Sequence, residues 1–133
     1  MVCILCDSKT KTTNSRYLRS FRHTWRRHTC TRCYAVFTTR ETVDMAQSYR
    51  VERADGSMIE FSRDQLFLSI YEALAHRKDA RASASTLTET IISALQSQHR
   101  LLITRTTLVE ITAEIIKRFD RTAYVRYISM HQI

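Results

Sequence analysis

The sequence has no proline and a single glycine, Gly56. These two residues are the strongest punctuators of regular structure, so a chain nearly without them is expected to run in continuous helix over much of its length. It has no apolar run near the ~20 residues that a membrane-spanning helix needs. It has only four cysteines and no segment resembling a secretory signal, which sets a disulfide framework aside and leads us to expect a reducing, cytoplasmic setting. Acids are almost missing from the first forty residues. Asp7 stands there alone against nine lysines and arginines, whereas residues 41–133 balance twelve cations with twelve acids. The whole net charge of +8 therefore lies at one end. With 44% hydrophobic residues the chain is otherwise an ordinary globular one, and disorder is not expected.

The four cysteines form two identical pairs, Cys3-x-x-Cys6 and Cys30-x-x-Cys33. One tight turn offers two thiolates, and two such turns close a tetrahedron around zinc. Redox use of CxxC calls for a βαβ context, which this sequence does not have. A set of four thiolates leaves no open position for water, so the expected zinc is structural rather than catalytic. Residues 7–29, between the pairs, carry Lys9, Lys11, Arg16, Arg19, Arg22, Arg26 and Arg27. A metal that pins so basic a surface points to a polyanionic partner, most simply nucleic acid. Trp25 can stack on a sugar or base, but the favoured reading is that it covers the small ribbon core. His28 is set aside as a zinc ligand.

The remaining pattern divides the chain into residues 1–44 and 45–133. Residues 24–29 and 34–39, with Trp25, Tyr34, Val36 and Phe37, suit strands around the second pair. Residues 41–47 read as a linker or short bridging helix. Ala54-Asp55-Gly56 then marks a hairpin turn between residues 48–53 and 57–60. Four helices are expected. Ser62-x-x-Gln65 caps the first, with Phe61 and Leu66 as a hydrophobic staple and Leu66, Leu68, Ile70, Tyr71 and Leu74 following. Thr86-x-x-Glu89 caps the second, with Leu87, Ile91, Ile92 and Leu95 on one stripe. Thr107-x-x-Glu110 caps the third, with Leu108, Ile111, Ile115 and Phe119 inward. Asp120 caps the fourth, with Ala123, Tyr124, Tyr127 and Ile128 inward. Residues 77–81 and 99–104 read as connections.

Taken in order, these residues resemble a known family. The two CxxC pairs flank a basic insert with Asn14-Ser15-Arg16 and Arg26-Arg27. Phe37-Thr38-Thr39-x-Glu41, a Val-x-x-x-Asp-Gly hairpin and Ala123-Tyr124-Val125-Arg126-Tyr127-x-Ser129 follow. This is similar to the NrdR-type repressors of ribonucleotide reductase genes, which join a zinc ribbon to an ATP-cone. The resemblance covers nearly the whole chain. It implies an α+β fold: an N-terminal zinc ribbon, then an ATP-cone-like domain made of a β-hairpin and a four-helix bundle.

The resemblance also implies a set of sites. Cys3, Cys6, Cys30 and Cys33 would hold zinc. Arg16, Arg26 and Arg27 would contact double-stranded DNA, although Trp25 and His28 interrupt the longer arginine run usual in the family. Val51, Arg53, Arg77, Tyr124 and Arg126 would contact ATP or dATP. The hairpin departs from the family pattern. Arg53 replaces a lysine, Ala54 replaces an arginine, and Glu60 is displaced by one position, while Gln65 replaces a lysine early in the first helix. No glycine-rich phosphate loop is present. The function implied is a nucleotide-responsive, zinc-dependent DNA-binding repressor, a homo-oligomer rather than an enzyme. The alternatives are a constitutive ribbon protein with a degenerate ATP-cone, or a detached regulatory subunit of a nucleotide enzyme.

Overall fold

A computed structural model describes residues 1–131. The fold is α+β and separates into two compact units, Met1–Val43 and Asp44 onward.

The first unit is a three-stranded antiparallel sheet in the order β1-β2-β3, formed by Thr10–Leu18, His23–Cys30 and Val36–Glu41. The strands β2 and β3 fall where β-prone residues lead one to expect them. Strand β1 does not announce itself, because its residues 11–17 are all exposed and polar but for Tyr17, so no alternation marks them. Only Cys3, His28 and Cys30 are buried in this unit, so it has almost no apolar core of its own. His28 takes the interior position that the sequence reading gave to Trp25. Its ring stacks on Phe37 at 5.2 Å, and its two nitrogens lie 2.8 Å from Thr39 Oγ1 and 3.5 Å from Thr12 Oγ1.

The second unit begins with a single-turn helix α1, Met45–Ser48, capped by Asp44. The hairpin β4 (Arg50–Glu52) and β5 (Met58–Glu60) turns through Gly56, whose φ of 84° is the left-handed conformation that glycine adopts without strain. Helices α2 (Arg63–Ala73), α3 (Ala80–Gln96), α4 (Arg105–Phe119) and α5 (Arg121–His131) follow. Each packs on two others: α2 and α4 both touch α3 and α5, which closes a four-helix ring. Phe61, Ile70, Leu74, Ile91, Leu95 and Ile116 fill its centre.

Ser62 and Asp120 cap α2 and α5 as expected, accepting from the Gln65 and Ala123 N–H groups. Two other starts differ. Helix α3 begins at Ala80, six residues before Thr86. Thr86 and Thr90 instead turn their hydroxyls back on the helix and donate to the Ala82 and Thr86 carbonyls. Helix α4 is capped by Thr104, not Thr107. The inward stripe of α4 also differs from the expected one, because packing against α3 and α5 selects the face that is buried. Val109, Thr112, Ala113 and Ile116 are buried, Leu108, Ile111 and Ile115 only partly, and Phe119 is exposed beneath the Arg77 guanidinium. On α2, Leu68 and Tyr71 likewise face solvent. Residues 102–104, read as connection, form β6, which pairs parallel to β4 and buries Ile103 beside Val51.

Asp120 joins two corners of the ring. Beyond its cap, Oδ2 accepts from Arg77 at 3.0 Å and lies 3.1 Å from His76 Nε2. The Ala123 N–H, aided against burial by Arg77 and His76, holds its carboxyl down to about 2. A carboxylate depressed below its unfolded value near 3.9 stabilises the fold above that value, and the contribution is lost as pH falls toward the folded value. The Tm of the helical unit should therefore fall between about pH 4 and 2. Asp120→Ala should cost roughly 2–3 kcal/mol at neutral pH and flatten that slope, both readable from melts followed by circular dichroism.

Candidate metal centre and nucleotide cleft

The two cysteine pairs sit in matching turns. Each is followed by a residue of positive φ, Asp7 at 59° and Tyr34 at 61°. Aspartate tolerates this conformation, whereas for tyrosine it is a strained one. The turns bring the four sulfurs within 4.8 Å of one another, with Cys3–Cys33 at 3.6 Å and Cys6–Cys30 at 3.5 Å. These separations are well beyond the ~2.05 Å of a disulfide. They match the edge of about 3.8 Å that a tetrahedron with metal–sulfur bonds of about 2.3 Å requires.

Backbone N–H groups already point at the sulfurs: Leu5 at Cys3, and Arg32 and Cys33 at Cys30. The Cys33 N–H, with burial opposing and the Arg32 N–H assisting, brings the Cys30 thiol down to about 6. Cys33 goes the other way, to about 11. The Ala35 N–H pulls it down, but burial and the sharing of hydrogen bonds with Cys3, Cys30 and Cys6 prevail. A four-sulfur set of this size and softness can hold a metal ion.

The sheet beside this cluster has two unlike faces, because successive residues on a strand point to opposite sides. Arg26 pairs with Ser15 and Thr39 and lies on the side of His28 and Phe37. Arg27 lies on the other side, 5.6 Å from the Trp25 ring centroid. Trp25 pairs with Arg16 on one neighbour strand and with Arg40 on the other. The structure thus brings Arg16 and Arg27 together and separates Arg26 from them.

The second unit holds a cleft of about 270 Å³. Val51 and Arg53 from the hairpin line it, as the sequence reading has it. Arg77, Tyr124 and Arg126 are not among its lining residues. Arg77 is bound to Asp79 and Asp120. Tyr124 lies under the Lys117 ammonium, and Arg126 donates to the Glu72 carbonyl. The cleft instead takes Gln65 from α2, Arg105 from the start of α4, and Tyr127 and His131 from α5. The Tyr127 and His131 rings lie 4.2 Å apart. Burial pushes the Tyr127 phenol up and the His131 imidazole down, so the imidazole favours its neutral form. Arg105 carries no signal in the sequence, because residues 99–104 read there as plain connection. Once β6 is seen beside β4, the residue that follows it belongs with the hairpin.

No family model matches the chain. Whole-sequence comparison is more informative. A transcriptional repressor NrdR of Halorubrum lacusprofundi is 30% identical over 107 residues, and that of Halomicrobium mukohataei is 28% identical over the same length. Each match takes in 80% of this chain and 65% of the relative, so the chain spans just under two thirds of these proteins. The NrdR of Neorickettsia sennetsu is 28% identical over 132 residues, which is 98% of this chain and 88% of the relative. These relatives are repressors by name, not enzymes. Among the described residues no helix is long and apolar enough to cross a membrane. The likeness runs through both compact units and agrees with the motifs and the four-cysteine cluster, and by these measures the chain is similar to the NrdR repressors.

Proposed function

We propose that this chain is a zinc-dependent DNA-binding repressor whose assembly responds to ATP or dATP, acting in the cytoplasm on ribonucleotide reductase genes. The observation that carries the reading is the four-sulfur cluster within a unit, Met1–Val43, that holds nearly all the unbalanced positive charge. Zinc is the metal best suited to four thiolates at this spacing. It would be held by Cys3, Cys6, Cys30 and Cys33, and would supply the rigidity that the ribbon's small core does not. Arginine on an exposed sheet suits phosphates and the guanine edge alike.

The nucleotide half of the reading rests on the cleft. Arg53 and Arg105 would take the phosphates, and the apolar wall of Ile59, Phe61 and Leu108 with the Tyr127–His131 pair would take the base. A constitutive ribbon protein is the second reading, favoured by Ala54 where the family has a cation and by Glu60 on the wall of the cleft.

A nucleotide can shift assembly only by binding one arrangement better than another. Mass in solution should therefore change between nucleotide-free protein and protein with millimolar ATP or dATP. An unchanged mass in all three conditions would favour the constitutive reading.

A further inference from the structure

We propose that DNA is gripped by one face of the ribbon only, the face on which Trp25 lies between Arg16 and Arg40 with Arg27 against its ring. This rests on the DNA-binding reading above and adds Arg40 and Trp25 to the contact set while removing Arg26.

The pairing registers carry the argument. Arg16, Trp25 and Arg40 are direct partners across β1, β2 and β3, so their side chains leave the sheet on the same side. Arg27, two residues along β2, joins them, as does Lys11 through its pairing with Thr29. Lys11, Arg16, Arg27 and Arg40 are exposed, and no acid of the sheet shares their side. Two strand spacings place the Arg16 and Arg40 backbones about 10 Å apart. With their long side chains the two arginines can take phosphates on either side of one groove. The half-buried indole between them is then positioned for a sugar, a base edge or a thymine methyl.

The opposite face is committed elsewhere. His28, Phe37, Thr12 and Thr39 are bound to one another there. Arg26 shares that side with Glu41, the diagonal neighbour that follows its partner Thr39 by two residues on β3. Its side chain leaves the sheet away from the other cations.

Trp25 is the only tryptophan, so intrinsic emission reports on this face alone. The test titrates full-length, zinc-loaded protein with a fluorescein-labelled 30-base-pair duplex of mixed sequence at several salt concentrations. Anisotropy and tryptophan emission are read together, and zinc content verifies that each variant is folded. Arg40→Ala and Arg16→Ala should each weaken binding roughly 5-fold or more and flatten the salt slope by about one unit. Arg26→Ala should stay within about twofold of the parent, below the effect of a lost contact. Trp25 emission should change on binding and become shielded from acrylamide. If the parent binds but Arg26→Ala loses as much as Arg40→Ala, or Trp25 stays as open to acrylamide as in free protein, the face is wrongly assigned. If the parent gives no anisotropy change at any salt, whether alone, with ATP or with dATP, the DNA-binding reading itself falls and this face with it.

Discussion

Cys30→Ser should release the metal, unfold the ribbon and abolish duplex binding, while the helical unit melts as before. The first unit buries only Cys3, His28 and Cys30. Hydrophobic burial on that scale cannot offset the conformational entropy of ordering some forty residues. Structural zinc can supply about 10–16 kcal/mol of apparent binding free energy in domains this small. Cys30 is a severe place to lose a ligand, since it is fully buried and its sulfur accepts the Arg32 and Cys33 N–H groups that shape the second turn. The helical unit has a core of its own, running from Met45 to Tyr127. Elemental analysis should give about one zinc per parent chain, the count that four thiolates close around, and none bound with normal affinity in the variant. A variant that still binds DNA with parental affinity would mean that the ribbon is not metal-dependent.

Arg53→Ala and Arg105→Ala should each remove much of the affinity for ATP or dATP, and together nearly all of it. Both line the cleft of the second unit, and they are the two arginines among its lining residues. A charge-assisted contact is worth roughly 1.5–3 kcal/mol, so each loss should raise Kd by about 10- to 150-fold. Ala54→Arg, which restores the family residue, should strengthen binding if that side chain reaches the phosphates. Arg77→Ala should differ in kind. It breaks ion pairs with Asp79 and Asp120 and so lowers stability, with little direct effect on the ligand. Calorimetry separates these outcomes. Equal affinity losses from Arg77 and Arg53 would move the site toward the Asp120 corner.

The contrast between Arg53 and Arg77 illustrates what the sequence made legible. Features encoded by a few adjacent residues were readable: the two CxxC turns, the Asp55-Gly56 hairpin, the Ser62 and Asp120 caps, and the Ile91–Ile92–Leu95 stripe. Features that depend on partners distant in the chain were not. The short strand Leu102–Thr104 exists because Ile103 can lie beside Val51, and no local pattern marks it. Helix α3 starts early because Ala80 and Ala84 fit the core, a matter of tertiary packing rather than capping chemistry. Arg26 and Arg27 look equivalent as neighbours in sequence. Only the pairing of β2 with β1 and β3 reveals that they leave opposite sides of the sheet. Likewise His28, which the sequence reading only set aside as a zinc ligand, takes the interior position, because so thin a ribbon admits an imidazole stacked on Phe37 but leaves the Trp25 indole half open.

The central claim is that a metal-held ribbon binds DNA under nucleotide control. Its most direct test is duplex affinity at fixed salt, using promoter DNA of a ribonucleotide reductase gene. The titration is run with zinc-loaded protein alone, with ATP, with dATP, and after zinc removal by chelator. The account predicts tight binding in one nucleotide state, weaker binding in another, and none without zinc. Affinity that survives chelation, or no binding in any nucleotide state, would contradict it.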